Sequence, residues 1–418
     1  MSFLVILVVV LGLIATIQLA RVYDLTRGIS DKREEDISEA DIKFNGNGML
    51  IFLIALMAFF VWLVFFSKDL YYPEAASVHG KEIDKLLNFN WWIVIPVFVL
   101  MNILLYGFTW KYQYRKDRKA FWYPHNNKLE LIWTVVPAIV LAVIIIWGIT
   151  VWSDTMMGET KEDAIHIELY SKQFDWTIRY AGEDQQLGPS NFNFISGANA
   201  MGIITNGTRD AMLEEVNGEI DQLQEVLDND KNNIAIISAE DREEKEDKLG
   251  RLQRKKLRIL AFMKDMNKNE GGKYDTGKDD YLVAGEFYIP VDREIFFHIN
   301  ARDVIHSAYM PHFRMQMNAV PGQETTFRMT PTITTEDMRK KTGDPDFDYV
   351  LMCNKICGAS HYNMQRTVKV VSQETYDAWL KYEDIQNKTP RKTFAQALGM
   401  EDDQPLLGEL STNEQNFE

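Results

Sequence analysis

Four stretches in the first third of the chain are apolar almost from end to end: residues 3–20 (FLVILVVVLGLIATIQLA), 49–66 (MLIFLIALMAFFVWLVFF), 91–110 (WWIVIPVFVLMNILLYGFTW) and 131–152 (LIWTVVPAIVLAVIIIWGITVW). At a rise of about 1.5 Å per residue, each is long enough to cross a hydrocarbon layer of roughly 30 Å as a helix. The pattern therefore predicts a membrane domain over residues 1–152 with four transmembrane helices. Trp91, Trp92, Trp110, Trp133 and Trp152 fall near the ends of these runs, where an amphipathic indole sits among headgroups. The first run has the alternative of a secretory signal. No Lys or Arg precedes it and no A-x-A site follows, so an uncleaved helix is expected.

Beyond Trp152 the pattern changes to short runs rich in β-branched and aromatic residues. These are IHIELY, FDWTIRY, DYLVAGEFYIPV, REIFFHINA, ETTFRMTP, DYVLMC and RTVKVVS, several of them divided by turn sequences such as NAVPGQ and GDPDFD. Many short strands without helices between them predict an all-β Greek-key domain, sandwich or barrel, over residues 153–384. One interval differs in period. Leu213, Val216, Ile220, Leu223 and Leu227 recur every three or four residues, and Leu249, Leu252, Leu257 and Leu260 do so again, which predicts an inserted helical hairpin over about 205–275. Residues 385–418 are polar and aperiodic and are expected to form a flexible tail.

Charge orients this plan. The loop 21–48 carries five Lys and Arg and the loop 111–130 six, against three in 68–90, so the first two are expected on the cytoplasmic side. Both termini then lie outside, and everything after Trp152 is exported. The formal net charge of −15 argues against a nucleic-acid partner and suits a basic protein docking on the exported surface.

The only two cysteines of the chain stand in LMCNKICGASHYNM, residues 351–364. Two exported cysteines form a disulfide by default. Here, however, Cys353, Cys357, His361 and Met364 bring four sulfur or nitrogen donors into twelve residues, which is the look of a ligand set. Methionine is not a usual zinc ligand. Thiolate, thioether and imidazole together suit copper in an electron-transfer site. Such a site needs a further imidazole, for which His298, His306 and His312, all within strand-rich sequence, are the candidates.

DVIHS followed by MP and NAVPG, and then CNKICGASHYNM, resembles subunit II of cytochrome c oxidase, the haem-copper oxidase subunit that carries the dinuclear copper centre CuA. QFDWTIRY (173–180) resembles the aromatic strand of that family, and ELIWTVVP (130–137) the start of its second transmembrane helix. The resemblance spans roughly residues 85–180 and 281–380, and it implies a cupredoxin-like domain. It also implies that Cys353 and Cys357 bridge two copper ions, with His306 and His361 each capping one. Met364 would be a weak ligand to one ion and the backbone carbonyl of Lys355 to the other. Glu130 would be the mouth of a proton pathway into subunit I.

Departures from the family pattern accompany the match. Lys355 stands where the family often has a Glu that meets magnesium at the subunit I interface, so no magnesium ligand is expected here. Asn318 replaces a frequent Asp, and Phe174 and Ala308 stand where tryptophans are frequent; Trp176 and Tyr309 are the nearby aromatics for the electron-accepting region. The implied role is a respiratory-chain subunit in a bacterial inner (plasma) membrane with its copper domain periplasmic. It would take electrons from a cytochrome c type donor, diffusing or held in a supercomplex, and pass them to haem in subunit I of an oxidase with further subunits. A copper-free quinol oxidase subunit is disfavoured by the retained ligands, and nitrous oxide reductase by the membrane helices. No Cys-x2-Cys-His is present, so no haem c is expected on this chain.

Overall fold

A computed structural model describes residues 2–29, 38–67, 71–266, 274–283, 285–384 and 389–390. The expected C-terminal tail lies almost wholly outside these residues. Two compact units emerge, one of residues 1–71 and 88–141 and the other of 72–87 and 142–418.

Four long helices form first: α1 (Ser2–Ile29), α2 (Glu39–Phe66), α3 (Val78–Lys111) and α4 (Asn127–Met156). Among the described residues α2, α3 and α4 are long and apolar enough to cross a membrane, and their apolar windows are almost wholly exposed on the chain itself. The expected first span falls in α1, whose described apolar stretch, Val10–Tyr23, is shorter. Pro96 and Pro137 sit inside α3 and α4, a placement tolerated in transmembrane helices because neighbouring groups re-satisfy the freed backbone. Within the first unit α2 packs on α3 through Phe60 against Phe98, centroids 5.1 Å apart, and Phe52 against Tyr106 at 5.2 Å.

The second unit is a two-sheet β structure. Its first sheet orders β3 (Tyr281–Val283), β2 (Asp175–Tyr180), β1 (Ile165–Lys172), β5 (Ile295–Ala301) and β8 (Thr325–Met329). The second orders β4 (Phe287–Pro290), β10 (Gln365–Val371), β9 (Tyr349–Cys353), β6 (His306–Met310) and β7 (Met315–Ala319). Alternation decides which side chains meet between the sheets. Ile165, Ile167 and Leu169, Trp176, Ile178 and Tyr180, and Ile295, Phe297 and Ile299 come from the first sheet. Tyr349 and Leu351, Val368 and Val370, and Ala308 and Met310 come from the second, and all belong to one buried cluster.

Several elements depart from the sequence pattern. DYLVAGEFYIPV is not one strand: β3 joins the first sheet and β4 the second, with Gly285 at φ +125°, accessible to glycine, at the crossing. Two short helices absent from the expectation, α7 (Thr335–Thr342) and α8 (Gln373–Lys381), close over the sheets. The segment 72–87, expected as a loop between spans, belongs to the β unit; Ala75, Ala76 and Ser77 are buried there, and α3 already begins at Val78.

The inserted hairpin is present as α5 (Asn206–Lys231) and α6 (Ala239–Met266). Thr205 and Thr208 close a capping box at the start of α5. Its seam is Met212, Val216 and Ile220 against Ile259, with Leu213, Leu249, Leu252 and Phe262 at the margin. Leu257, expected in that seam, is exposed because Ile259 takes the inward position.

Candidate metal centre

The strand period delivers the first donors. Tyr349, Leu351 and Cys353 are the inward series of β9, so Cys353 reaches the end of the core as its last member. On neighbouring β6, Ala308 pairs with Cys353 in antiparallel register. His306 lies two residues before Ala308 on the same face and is fully buried. The chain after β9 then loops back through a 3-10 turn, His361–Asn363, before Met364 leads into β10.

That loop gathers the ligand set. The Cys353 and Cys357 sulfurs are 3.9 Å apart and unbonded. His306 Nδ1 lies 3.9 Å from Cys353 Sγ, and His361 Nδ1 lies 3.6 Å from Cys357 Sγ. Met364 Sδ stands 3.8 Å from Cys357 Sγ, and the Lys355 carbonyl oxygen 3.2 Å from Cys353 Sγ. Donors that share an ion at about 2.0–2.3 Å each leave separations of this size between them. His306, Cys353 and Cys357 have ligand atoms mutually within 4.8 Å, and all three are buried. The arrangement has two ends, each thiol with its own imidazole. Burial and the adjacent Cys353 push the Cys357 thiol up to about 11, so metal binding must expel its proton.

Residues outside the sequence expectation hold this set in place. Asp303 Oδ1 lies 2.9 Å from His306 Nε2, while its Oδ2 accepts from the Gln173 backbone N–H at 2.8 Å. The ring is thereby turned so that Nδ1 faces sulfur. Gln173 Nε2 donates to the Cys357 carbonyl. Gly358, at φ +142°, lies close to the Phe174 ring: an added Cβ there would come within 2.8 Å of it. Asp303 stands in DVIHS three residues ahead of the histidine, whereas Gln173 and Gly358 had no signal beyond their neighbours.

The other expected residues divide. Trp176 is fully buried, its ring 6.2 Å from that of His306 in a T-shaped contact, and Phe174 is half-buried against the metal loop. His298 and His312 are not among the gathered donors: His298 bonds His166 and Glu324, and His312 packs on Phe347 and Tyr349. Glu130 sits in the first turn of α4, exposed, in the other compact unit.

Comparison with known proteins follows the same division of the chain. The transmembrane domain of cytochrome C oxidase subunit II matches residues 65–151, and the periplasmic domain of the same subunit matches residues 255–371. An alternative cytochrome c oxidase subunit 2 of Bradyrhizobium diazoefficiens is 23% identical over 348 residues, covering 83% of this chain and 94% of its own length. A cytochrome c oxidase subunit 2 of Cereibacter sphaeroides is 22% identical over 314 residues, 74% of this chain and 78% of its own. That of Thermostichus vulcanus is 35% identical over 105 residues, 25% of this chain and 28% of its own.

Proposed function

Since the chain belongs to the cytochrome c oxidase subunit II family and is a subunit of that oxidase, we propose that it is the electron-accepting subunit. Cys353, Cys357, His306, His361, Met364 and the Lys355 carbonyl would hold a dinuclear copper pair. When bound, such a pair supplies one-electron storage shared over two metals, with little change in geometry. The observation that supports this role most is the pair of buried, unbonded thiols 3.9 Å apart, each with an imidazole nitrogen beside it.

The residues of this chain do the positioning. Asp303 orients His306, the β9–β6 pairing fixes Cys353 against it, and burial keeps bulk water from the sulfurs. Trp176 and Phe174, packed on the ligand and its loop, form the side through which an electron from a cytochrome c type donor would arrive. Lys355 offers its carbonyl but no carboxylate, so no magnesium ligand is assigned. Residues 1–152 would make four membrane crossings in a bacterial inner membrane with the β unit periplasmic. Subunit I, carrying haem, would receive the electrons for oxygen reduction coupled to proton translocation. Glu130 is assigned the mouth of a proton pathway on the opposite side; Glu130→Ala should slow oxidase turnover while copper content stays unchanged, and equal turnover removes that role.

Copper loading of the full chain tests the centre. The expected result, once a chelator has removed exchangeable copper, is two copper ions per chain, a purple protein and an electron spin resonance signal split over both nuclei. A single ion with a blue-copper spectrum would overturn the dinuclear assignment.

A further inference from the structure

A second group of imidazoles lies on the outer face of the first sheet. β1 and β5 run parallel with His166 opposite Phe296 and Glu168 opposite His298. His166 and His298 are therefore diagonal neighbours pointing away from the core, since Ile165, Ile167, Ile295, Phe297 and Ile299 take the inward positions. His166 Nδ1 and His298 Nε2 are 3.1 Å apart. On its far side His298 Nδ1 lies 3.0 Å from Glu324 Oε1, just before β8. Phe296 walls the pair, its ring 5.3 Å from that of His166 and 4.9 Å from that of His298. Both rings are half-buried and Glu324 is exposed, so an ion from solvent can reach them.

We propose that His166 and His298 form a second metal site, separate from the thiolate cluster, that takes an exchangeable divalent transition-metal ion such as Zn2+ or Cu2+, with Glu324 as the positioning carboxylate. The chemistry rests on three points. Glu324 accepts the Nδ1 proton of His298 and so leaves Nε2 as a lone pair, the tautomer a metal needs, in the carboxylate–histidine arrangement that orients metal-bound imidazoles. Two nitrogens 3.1 Å apart, each about 2.05 Å from an ion, subtend about 98° at it, between square-planar and tetrahedral values. At 3.1 Å the two facing nitrogens share a proton on the His166 side, and an entering ion displaces it to solvent. Soft sulfur is absent and two imidazoles are present, which suits zinc, copper(II) or nickel over magnesium or calcium. Water completes the shell, which makes the ion exchangeable.

The site does not depend on the copper assignment at Cys353 and Cys357, and the experiment separates them. Full-length chain, loaded with copper and then stripped of exchangeable copper by a chelator, is titrated with Zn2+ against a chelator of known affinity. One additional zinc should bind saturably. His166→Ala or His298→Ala should abolish that equivalent, and Glu324→Gln should weaken it about 10–100-fold, while the circular dichroism spectrum is unchanged and reports an intact fold. Should an alanine variant fail to fold, Cu2+ added to the parent chain gives an independent measurement: superhyperfine splitting from two nitrogens is expected on the added ion. Zinc binding should also survive Cys353→Ser, which destroys the thiolate centre. Absence of saturable zinc in the parent, or zinc bound equally by the parent and both alanine variants, overturns the proposal.

Discussion

The carboxylate of Asp303 lies 2.9 Å from His306 Nε2, and that contact leaves Nδ1 as the nitrogen facing Cys353. The same carboxylate takes backbone N–H groups from Gln173 and Val304, so it is itself fixed before it fixes the ring. Asp303→Ala should therefore lower copper affinity about 10–100-fold with the fold intact. Competition with a copper chelator measures it, and an unchanged affinity would remove Asp303 from the site.

The segment 72–87 should be needed by the β unit. The Ala76 N–H donates to the His312 carbonyl at 2.7 Å and the Ala76 carbonyl accepts from Thr332 at 2.8 Å. Ser77 Oγ donates to the Phe313 carbonyl at 2.8 Å, and Asp84 takes two bonds from Arg314. Gly80 packs so closely that a Cβ would meet Ser77 Oγ at 2.6 Å. Loss of several bonds at about 1 kcal/mol each predicts that a fragment of residues 153–418 melts well below the full chain, and that linking residues 72–87 to it recovers stability. Equal melting temperatures for the fragments with and without 72–87 would refute this.

A buried ionic group gives a pH signature. Glu168, Arg179 and Asp280 are buried together, Arg179 Nε 2.8 Å from Glu168 and its Nη1 3.5 Å from Asp280. Two carboxylates share one guanidinium, and burial pushes Asp280 up to about 7, with Arg179 opposing. The folded state then holds a proton that the unfolded chain releases near pH 4. Stability contributed by this proton is present below that pH, falls as pH rises toward 7, and changes no further above it. The slope is at most about 1.4 kcal/mol per pH unit. Denaturant unfolding of the parent and of Asp280→Asn between pH 4 and 8 should give a difference that varies with pH in this sense; a pH-independent difference counts against it.

Donor docking separates two cases. Steering of a basic cytochrome by a chain of net charge −15 should weaken as salt shortens the screening length from about 10 Å at 0.1 M. Oxidation of the donor should slow steeply with salt and survive deletion of α5 and α6. Indifference to salt, with loss on deletion, would instead point to a donor held by the hairpin.

The local sequence determined a good deal. Uninterrupted apolar runs marked the helices long and apolar enough to cross a membrane, and a 3.6-residue period marked the hairpin because its seam is local. Cys353, Cys357, His361 and Met364 were legible as donors because they sit on one short loop. His306 was legible only through family resemblance: by residue type it stood level with His298 and His312. Tertiary structure separates the three, because strand pairing carries His306 to Cys353 and turns His298 outward to His166. The same long-range pairing split 280–291 between two sheets and drew 72–87 into the β unit. It also set Asp303, Gln173 and Gly358 around the ligands. None of these placements follows from a local period, since each depends on contacts between residues distant along the chain.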